Sequence, residues 1–227
     1  MRDTPGRTEP GREWRKTSMD WSDNWRDAFR IELRAEAVGL AWRGWPIMPG
    51  TYPTGEVWTD GERDRVNGPE PVDSDWKLQV AAKPEEVASI WTGRPYSLLV
   101  ATGTVLDAVE VPAAIGMRVA GLLRTVGVVA PIAATPEGRW IFLTTPGRRI
   151  NPELRAHPEI KVRGAGDWIP LPPSSCQHGI VHWRVKPQTC GWQLAEAGFV
   201  QDAISQVLGQ VDVDHADRVL ATQRLSA

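Results

Sequence analysis

Tyr96-Ser97-Leu98-Leu99-Val100-Ala101-Thr102-Gly103-Thr104-Val105-Leu106-Asp107-Ala108-Val109-Glu110-Val111-Pro112 is the stretch on which the fold class turns. It holds two apolar runs, Tyr96–Ala101 and Val105–Val111, joined by a Thr-Gly-Thr turn, and short apolar runs bounded by turn residues read as buried strands. Pro112 then starts a helix in which Ile115, Val119, Leu122, Leu123 and Val126 share one face. Gly127 closes that helix, as glycine does where the chain must turn left-handed. Two strands followed at once by an amphipathic helix require a sheet with a helical layer over it.

Working outward, residues 129–135 and 139–145 read as a hairpin around Thr135-Pro136-Glu137-Gly138. A short helix near 151–157 follows, then strands near 159–163, 167–171 and 179–185. A helix carrying Val200, Ala203, Ile204, Val207 and Leu208 comes next, and a second one after Asp214. Upstream, Trp25, Phe29, Leu33, Ala37 and Leu40 mark one face of a long helix that Gly44 ends, and residues 45–50 form a short strand between prolines. Residues 50–75, rich in Gly, Pro, Asp and Glu with little periodicity, read as a long loop, and Pro84-Glu85-Glu86 opens a short helix to about Trp91. The expected fold class is α+β with a mixed or antiparallel sheet and flanking helices. The Gly/Pro/Arg-rich residues 1–18 read as a disordered tail, and 19–227 as a single domain.

The 227 residues are 41% hydrophobic and 24% charged with formal net charge −2, the composition of an ordinary globular chain. Tryptophan dominates the aromatics, 12 against 3 Phe and 2 Tyr. Trp25, Trp45, Trp91 and Trp168 fall where the pattern places core positions or element ends, so tryptophan is read as the core aromatic of this chain. No apolar run approaches the ~18 residues of a membrane span, and no apolar leader opens the sequence. A cytoplasmic protein with Cys176 and Cys190 reduced is therefore expected, with no membrane partner.

Charge is unevenly spread. Residues 56–75 hold seven acids against Arg63 and Arg65, and 138–186 hold eight Lys and Arg against Glu153, Glu159 and Asp167. The basic segment, with Trp140, Trp168 and Trp183 interleaved among Arg139, Arg163, Arg184 and Lys186, has the composition of a single-strand binding surface. It also has the composition of solvated strands with their tryptophans turned inward, since Arg139/Trp140 and Trp183/Arg184 are neighbours and must face opposite ways. Cys176, His178, His182 and Cys190 are the residue types of a zinc site, but on one strand His178 and His182 would stand ~13 Å apart, too far for one ion.

Gly44-Trp45-Pro46-Ile47-Met48-Pro49-Gly50, the stretch 96–112, and Leu171-Pro172-Pro173-Ser174 followed by Gly179-Ile180-Val181-His182-Trp183 together resemble the bifunctional DNA primase/polymerase (Prim-Pol) N-terminal domain family of the archaeo-eukaryotic primase superfamily. The likeness spans about residues 30–210 and is closest to the short, stand-alone actinobacterial type. The resemblance implies a primase-polymerase-like fold and a two-metal nucleotidyl transferase. Active members place Asp-x-Asp on a strand, a histidine in a later hairpin that contacts the nucleotide phosphates, and a third carboxylate on a neighbouring strand. Two Mg or Mn ions need such clustered oxygen ligands.

This chain departs from that pattern. Asp107 and Glu110 are three apart and point to opposite faces of a regular strand, so they share one metal pair only if the strand ends between them, a break for which Pro112 leaves room. Gly138-Arg139-Trp140 has an aromatic in place of the histidine, and Ile160-Lys161-Val162-Arg163 is basic where the third acid is expected. The expected function is that of a catalytically degenerate primase/polymerase-like domain with no cofactor, serving in replication, repair or regulation. It binds nucleic acid, single-stranded DNA in particular, or nucleotide through Arg139, Lys161, Arg163 and Arg184. In the rival reading the chain is an active primase/polymerase, with Asp107 and Glu110 as catalytic ligands of Mg or Mn and Arg139 on the phosphates. A third reading is a protein-interaction module docking a partner through tryptophans of the first helix and the acidic segment 56–75.

Overall fold

The computed structural model describes residues 21–210 apart from 56, 66–67 and 79–82. The tail 1–18, the helix expected after Asp214 and the side chain of Trp25 lie outside the described residues. In chain order the elements are α1 (Trp21–Ala41), β1 (Ile47–Gly50), β2 (Tyr52–Thr54), β3 (Val57–Thr59), β4 (Asp64–Arg65), α2 (Pro84–Ile90), β5 (Ser97–Ala101), β6 (Asp107–Pro112), α3 (Ala113–Thr125), β7 (Ile132–Thr135), β8 (Arg139–Thr144), α4 (Pro152–Ala156), β9 (Lys161–Arg163), β10 (Trp168–Pro170), β11 (Ser175–Cys176), β12 (Gly179–Ile180) and β13 (His182–Val185). A last helix, α5, occupies 197–210 of the described chain.

The architecture is α+β. A five-stranded antiparallel sheet runs β13-β7-β8-β6-β9, and a three-stranded antiparallel sheet runs β1-β5-β10. The two apolar runs of the opening stretch do not pair with each other: β5 is the central strand of the small sheet, buried at all five positions, and β6 lies inside the large one. The turn between them carries the chain from one sheet to the other. It is tied to the segment before β10 by Thr102 N to Asp167 O (3.0 Å) and Thr102 Oγ1 to Gly164 O (2.6 Å). Gly103 there has φ +103°, and a Cβ would collide with Ala165, so the turn requires glycine.

Each face of the large sheet covers one core. Ala108, Ala133, Ile141 and Leu143 face a cluster built with Leu33, Ala37 and Leu40 of α1, Val87 of α2, and Leu98 and Val100 of β5. Val109, Val111, Ile132 and Phe142 face the other cluster, with Val119 and Leu123 of α3, Leu154 of α4, and Val200, Ile204 and Val207 of α5. The alternation along β6 thus divides its residues between two cores. Trp45 and Trp91 are buried, and the Trp91 indole N–H donates to the Tyr96 carbonyl at 2.8 Å. The buried Ser174 hydroxyl accepts from Leu98 N (2.6 Å) and donates to Leu98 O (2.8 Å), fastening the Leu-Pro-Pro-Ser segment to β5.

Two expectations need correction. Residues 52–54, 57–59 and 64–65 pair as a small antiparallel meander, β2-β3-β4, within the stretch expected to be a long loop. Its strands are two or three residues long, too short to show a period. The Asp60 carboxylate holds its last turn by accepting from Glu62 N (2.9 Å) and Arg63 N (2.8 Å). The strand expected over 179–185 is two strands, because Val181 leaves the ladder to donate to Ser174 O (2.9 Å) and only His182–Val185 joins the large sheet. Among the described residues no helix is long and apolar enough to cross a membrane.

Candidate functional site

Strand β6 runs unbroken from Asp107 to Pro112, paired with β8 along its whole length and with β9 over Ala108–Glu110. Glu110 therefore shares a face with Ala108 and Pro112, while Asp107 shares the other with Val109 and Val111. On the Glu110 face, Ile141 is the cross-strand partner on β8 and Lys161 the partner on β9. Arg139, two residues before Ile141, and Arg163, two after Lys161, point the same way.

The result is a carboxylate enclosed by three cations. Glu110 is 8% exposed. Arg139 Nε lies 2.8 Å and Lys161 Nζ 3.4 Å from Glu110 Oε1, and Arg163 Nη2 lies 3.8 Å from Oε2. Arg139 is itself fixed, donating through Nη2 to the Glu110 carbonyl (3.3 Å) and the Glu159 carbonyl (2.6 Å). Arg163 also reaches Asp167 at 3.5 Å. These groups line an open groove of about 300 Å³ with Thr135, Glu137, Trp168, Cys176 and Gln177. Burial, helped by the Glu137 charge, pushes the Cys176 thiol up to about 12, so at neutral pH it is a protonated, unreactive group in the groove wall.

Asp107 belongs to a different cavity, of about 180 Å³, lined by Thr144, Arg148, Gln201 and Ala197 on the α5 side of the sheet. Its Oδ2 accepts from Gly147 N at 2.9 Å. Its Oδ1 and the Thr144 hydroxyl are buried without a protein partner. The two acids singled out in the sequence are thus separated by the sheet.

Of the four candidate phosphate-binding cations, the fold brings Arg139, Lys161 and Arg163 together and sets Arg184 apart. Arg184 stacks on Trp140, 5.0 Å from the ring centroid, beside α3. Trp140 packs there on Gly116, where a Cβ would come within 2.8 Å of it. Trp183 points back to the other core, its indole N–H 3.3 Å from Glu36 Oε1. Arg139/Trp140 and Trp183/Arg184 alternate as strand neighbours must, and the groove-facing member of the first pair is the arginine.

The donor set does not fit a pair of divalent ions. On the Glu110 face the positions two residues away are Ala108 and Pro112, the neighbouring strand supplies Lys161 and Arg163, and Asp107 is across the sheet. Glu110 and Glu137 are the carboxylates of the groove lining, and the three cations about Glu110 are not the clustered oxygen ligands that a divalent pair needs. The Cys/His set is also divided. Cys176 lines the groove, His182 is exposed on β13, and Cys190 closes a turn with its Sγ 3.7 Å from the Lys186 carbonyl. Among the described residues no three His, Cys, Asp or Glu gather as around a metal ion.

Sequence reasoning did not single out Thr135, Glu137, Gln177 or the Gly68-Pro69 segment as groove-lining. Glu137 was legible as a turn residue two before Arg139, and only the sheet register shows that this turn overhangs the groove. Gly68-Pro69 is brought in by the β2–β4 meander and by Thr51, whose N–H donates to Glu70 O (2.8 Å) and whose Oγ1 accepts from Glu70 N (3.0 Å).

Compared with known families, residues 37–198 match the one described as bifunctional DNA primase/polymerase, N-terminal. No curated protein matches the chain.

Proposed function

The chain belongs to the bifunctional DNA primase/polymerase, N-terminal, family, and from that premise we propose a degenerate member that binds nucleic acid or nucleotide without polymerising it. One observation carries the reading. The acids from which a two-metal centre would be built lie on opposite faces of one unbroken strand, and the acid in the groove is already neutralised by Arg139, Lys161 and Arg163. Binding proceeds through those three cations, with Trp168 beside them in the groove as a surface on which a base can stack. The reading needs no resident metal. Mg or Mn enters only in the rival reading, which would need Asp107 and Glu110 to act on one substrate through the sheet.

Two assays test it. Single-stranded DNA should bind at low ionic strength, with log K falling against log salt by about 0.7 for each phosphate contacted. Arg139→Ala and Lys161→Ala should each flatten that slope. No binding of DNA or nucleotide at low salt would overturn the reading. Primer extension with Mn2+ and nucleoside triphosphates should give no product, and product lost in Asp107→Ala or Glu110→Ala would restore the catalytic reading.

A second reading, protein interaction, has its own support. Ile31 and Trp42 are 68% and 69% exposed and stand three turns apart on one face of α1 and its continuation. It predicts loss of a partner in Trp42→Ala with DNA binding unchanged.

A further inference from the structure

We propose that the Glu110 groove recognises a terminal phosphate group directly, without a divalent metal, and that Glu110 is a built-in competitor that occupies the phosphate's place when no ligand is present. The inference rests on the binding reading above and deepens it.

The geometry converges on a point. Three cations on two different strands reach the two oxygens of one side chain at 2.8, 3.4 and 3.8 Å. A groove that tracked a strand would space its cations along the backbone; this one gathers them about a single anionic group. A terminal phosphate, with charge near −2 at neutral pH and three acceptor oxygens, suits that arrangement better than a singly charged internal phosphodiester. The lining holds three cations against Glu110 and Glu137, and Asp167 pairs with Arg163 from beside it, so the charges balance with Glu110 ionised and turn net positive once its charge is removed.

A divalent ion is disfavoured on the same grounds. To reach Glu110 it would have to displace Arg139, whose side chain is 19% exposed and hydrogen-bonded to Glu110 Oε1, Glu110 O and Glu159 O. It would also sit among three like charges. A phosphate instead joins an existing set of donors. Lys161, 55% exposed, can turn toward it while Arg139 holds its place. In the empty groove Glu110 keeps the cations ordered, and ligand must share them with it. Removing its charge should therefore tighten binding, the opposite of what loss of a metal ligand would do.

The experiment titrates the full chain with three probes, a nucleoside triphosphate, a 5′-phosphorylated single strand and the same strand without phosphate, each in EDTA and in excess Mg2+. The first two should bind in EDTA, with Mg2+ leaving affinity unchanged or weakening it, and the unphosphorylated strand should bind at least about tenfold more weakly. Which of the first two binds better identifies the source of the phosphate. Glu110→Gln should raise affinity for the phosphate probes by about tenfold and Arg139→Ala should lower it by about tenfold or more. Lys161→Gln, at an exposed position that does not threaten folding, should lower it as well. Phosphate binding that requires Mg2+, or weakens in a folded Glu110→Gln protein, overturns the inference. Equal binding of phosphorylated and unphosphorylated strands overturns it while leaving the broader binding reading intact. Failure of all three probes in both conditions overturns that reading too.

Discussion

Ser174 shows how much a single side chain can settle at the residue scale. Its hydroxyl is fully buried, accepts from the N–H of Leu98 and donates to the C=O of Leu98, near the start of the central strand of the smaller sheet. Ser174→Ala removes the hydroxyl and leaves the Leu98 N–H without it in a dry interior, while the Leu98 carbonyl keeps Leu171 N at 2.9 Å. The expected loss is about 1–3 kcal/mol of unfolding free energy, read as a lower denaturation midpoint in urea with an unchanged slope. An unchanged midpoint would mean that Leu98 has found another partner. The Leu-Pro-Pro-Ser segment that helps mark the family resemblance thus has a structural use for its serine. Glu110 and Asp107 teach the converse. Their three-residue spacing already places them on opposite faces of any regular strand, and that part of the site was legible before the structure. The cage was not, because it depends on which strands flank β6 and in what register, and composition could not separate Arg184 from Arg139.

At the scale of elements, α3 and β8 meet where Gly116 faces Trp140. Gly116 leaves room for Trp140, whose atoms would lie 2.8–2.9 Å from an added Cβ. Gly116→Val should therefore cost about 1–3 kcal/mol through overpacking, measured by thermal unfolding, and should disturb the Arg184 guanidinium stacked on the same ring. A neutral outcome would show that α3 can ride outward freely. A second link joins α1 to β13 through Glu36 and the Trp183 indole at 3.3 Å. Burial raises the Glu36 carboxyl above its usual value, more than the hydrogen bond from Trp183 lowers it. The folded state then holds this proton more tightly than the unfolded chain does. Its contribution to stability is complete below pH 4.5 and is lost as pH rises through the raised value. Glu36→Gln should be more stable than the natural chain at pH 7 and lose that advantage near pH 4; an equal offset at both pH values would contradict the assignment. The strands and helices themselves were readable where apolar residues repeat over five or more positions, as in β5, β6 and α3. They were not readable in the β2–β4 meander, which is held by Asp60 and Thr59 side chains and not by a hydrophobic stripe.

Across the whole molecule, an overall charge of −2 conceals a local cluster of three cations, made when an antiparallel sheet brings residues 139, 161 and 163 around Glu110. Tryptophan follows the same logic of placement. Trp45, Trp58 and Trp91 are core, Trp140 backs α3, Trp168 lines the groove and Trp42 is exposed, so the excess of this residue has no single meaning. The central claim is that the groove holds an anion site where the resemblance leads one to expect a pair of metals. Its most direct test is anomalous diffraction from crystals of this chain soaked with Mn2+ and a non-hydrolysable nucleoside triphosphate. The account predicts phosphate density among Arg139, Lys161 and Arg163 and no manganese peak within ligand distance of Glu110. Two manganese peaks about 4 Å apart, bridged by Glu110 and the nucleotide phosphates, would contradict it.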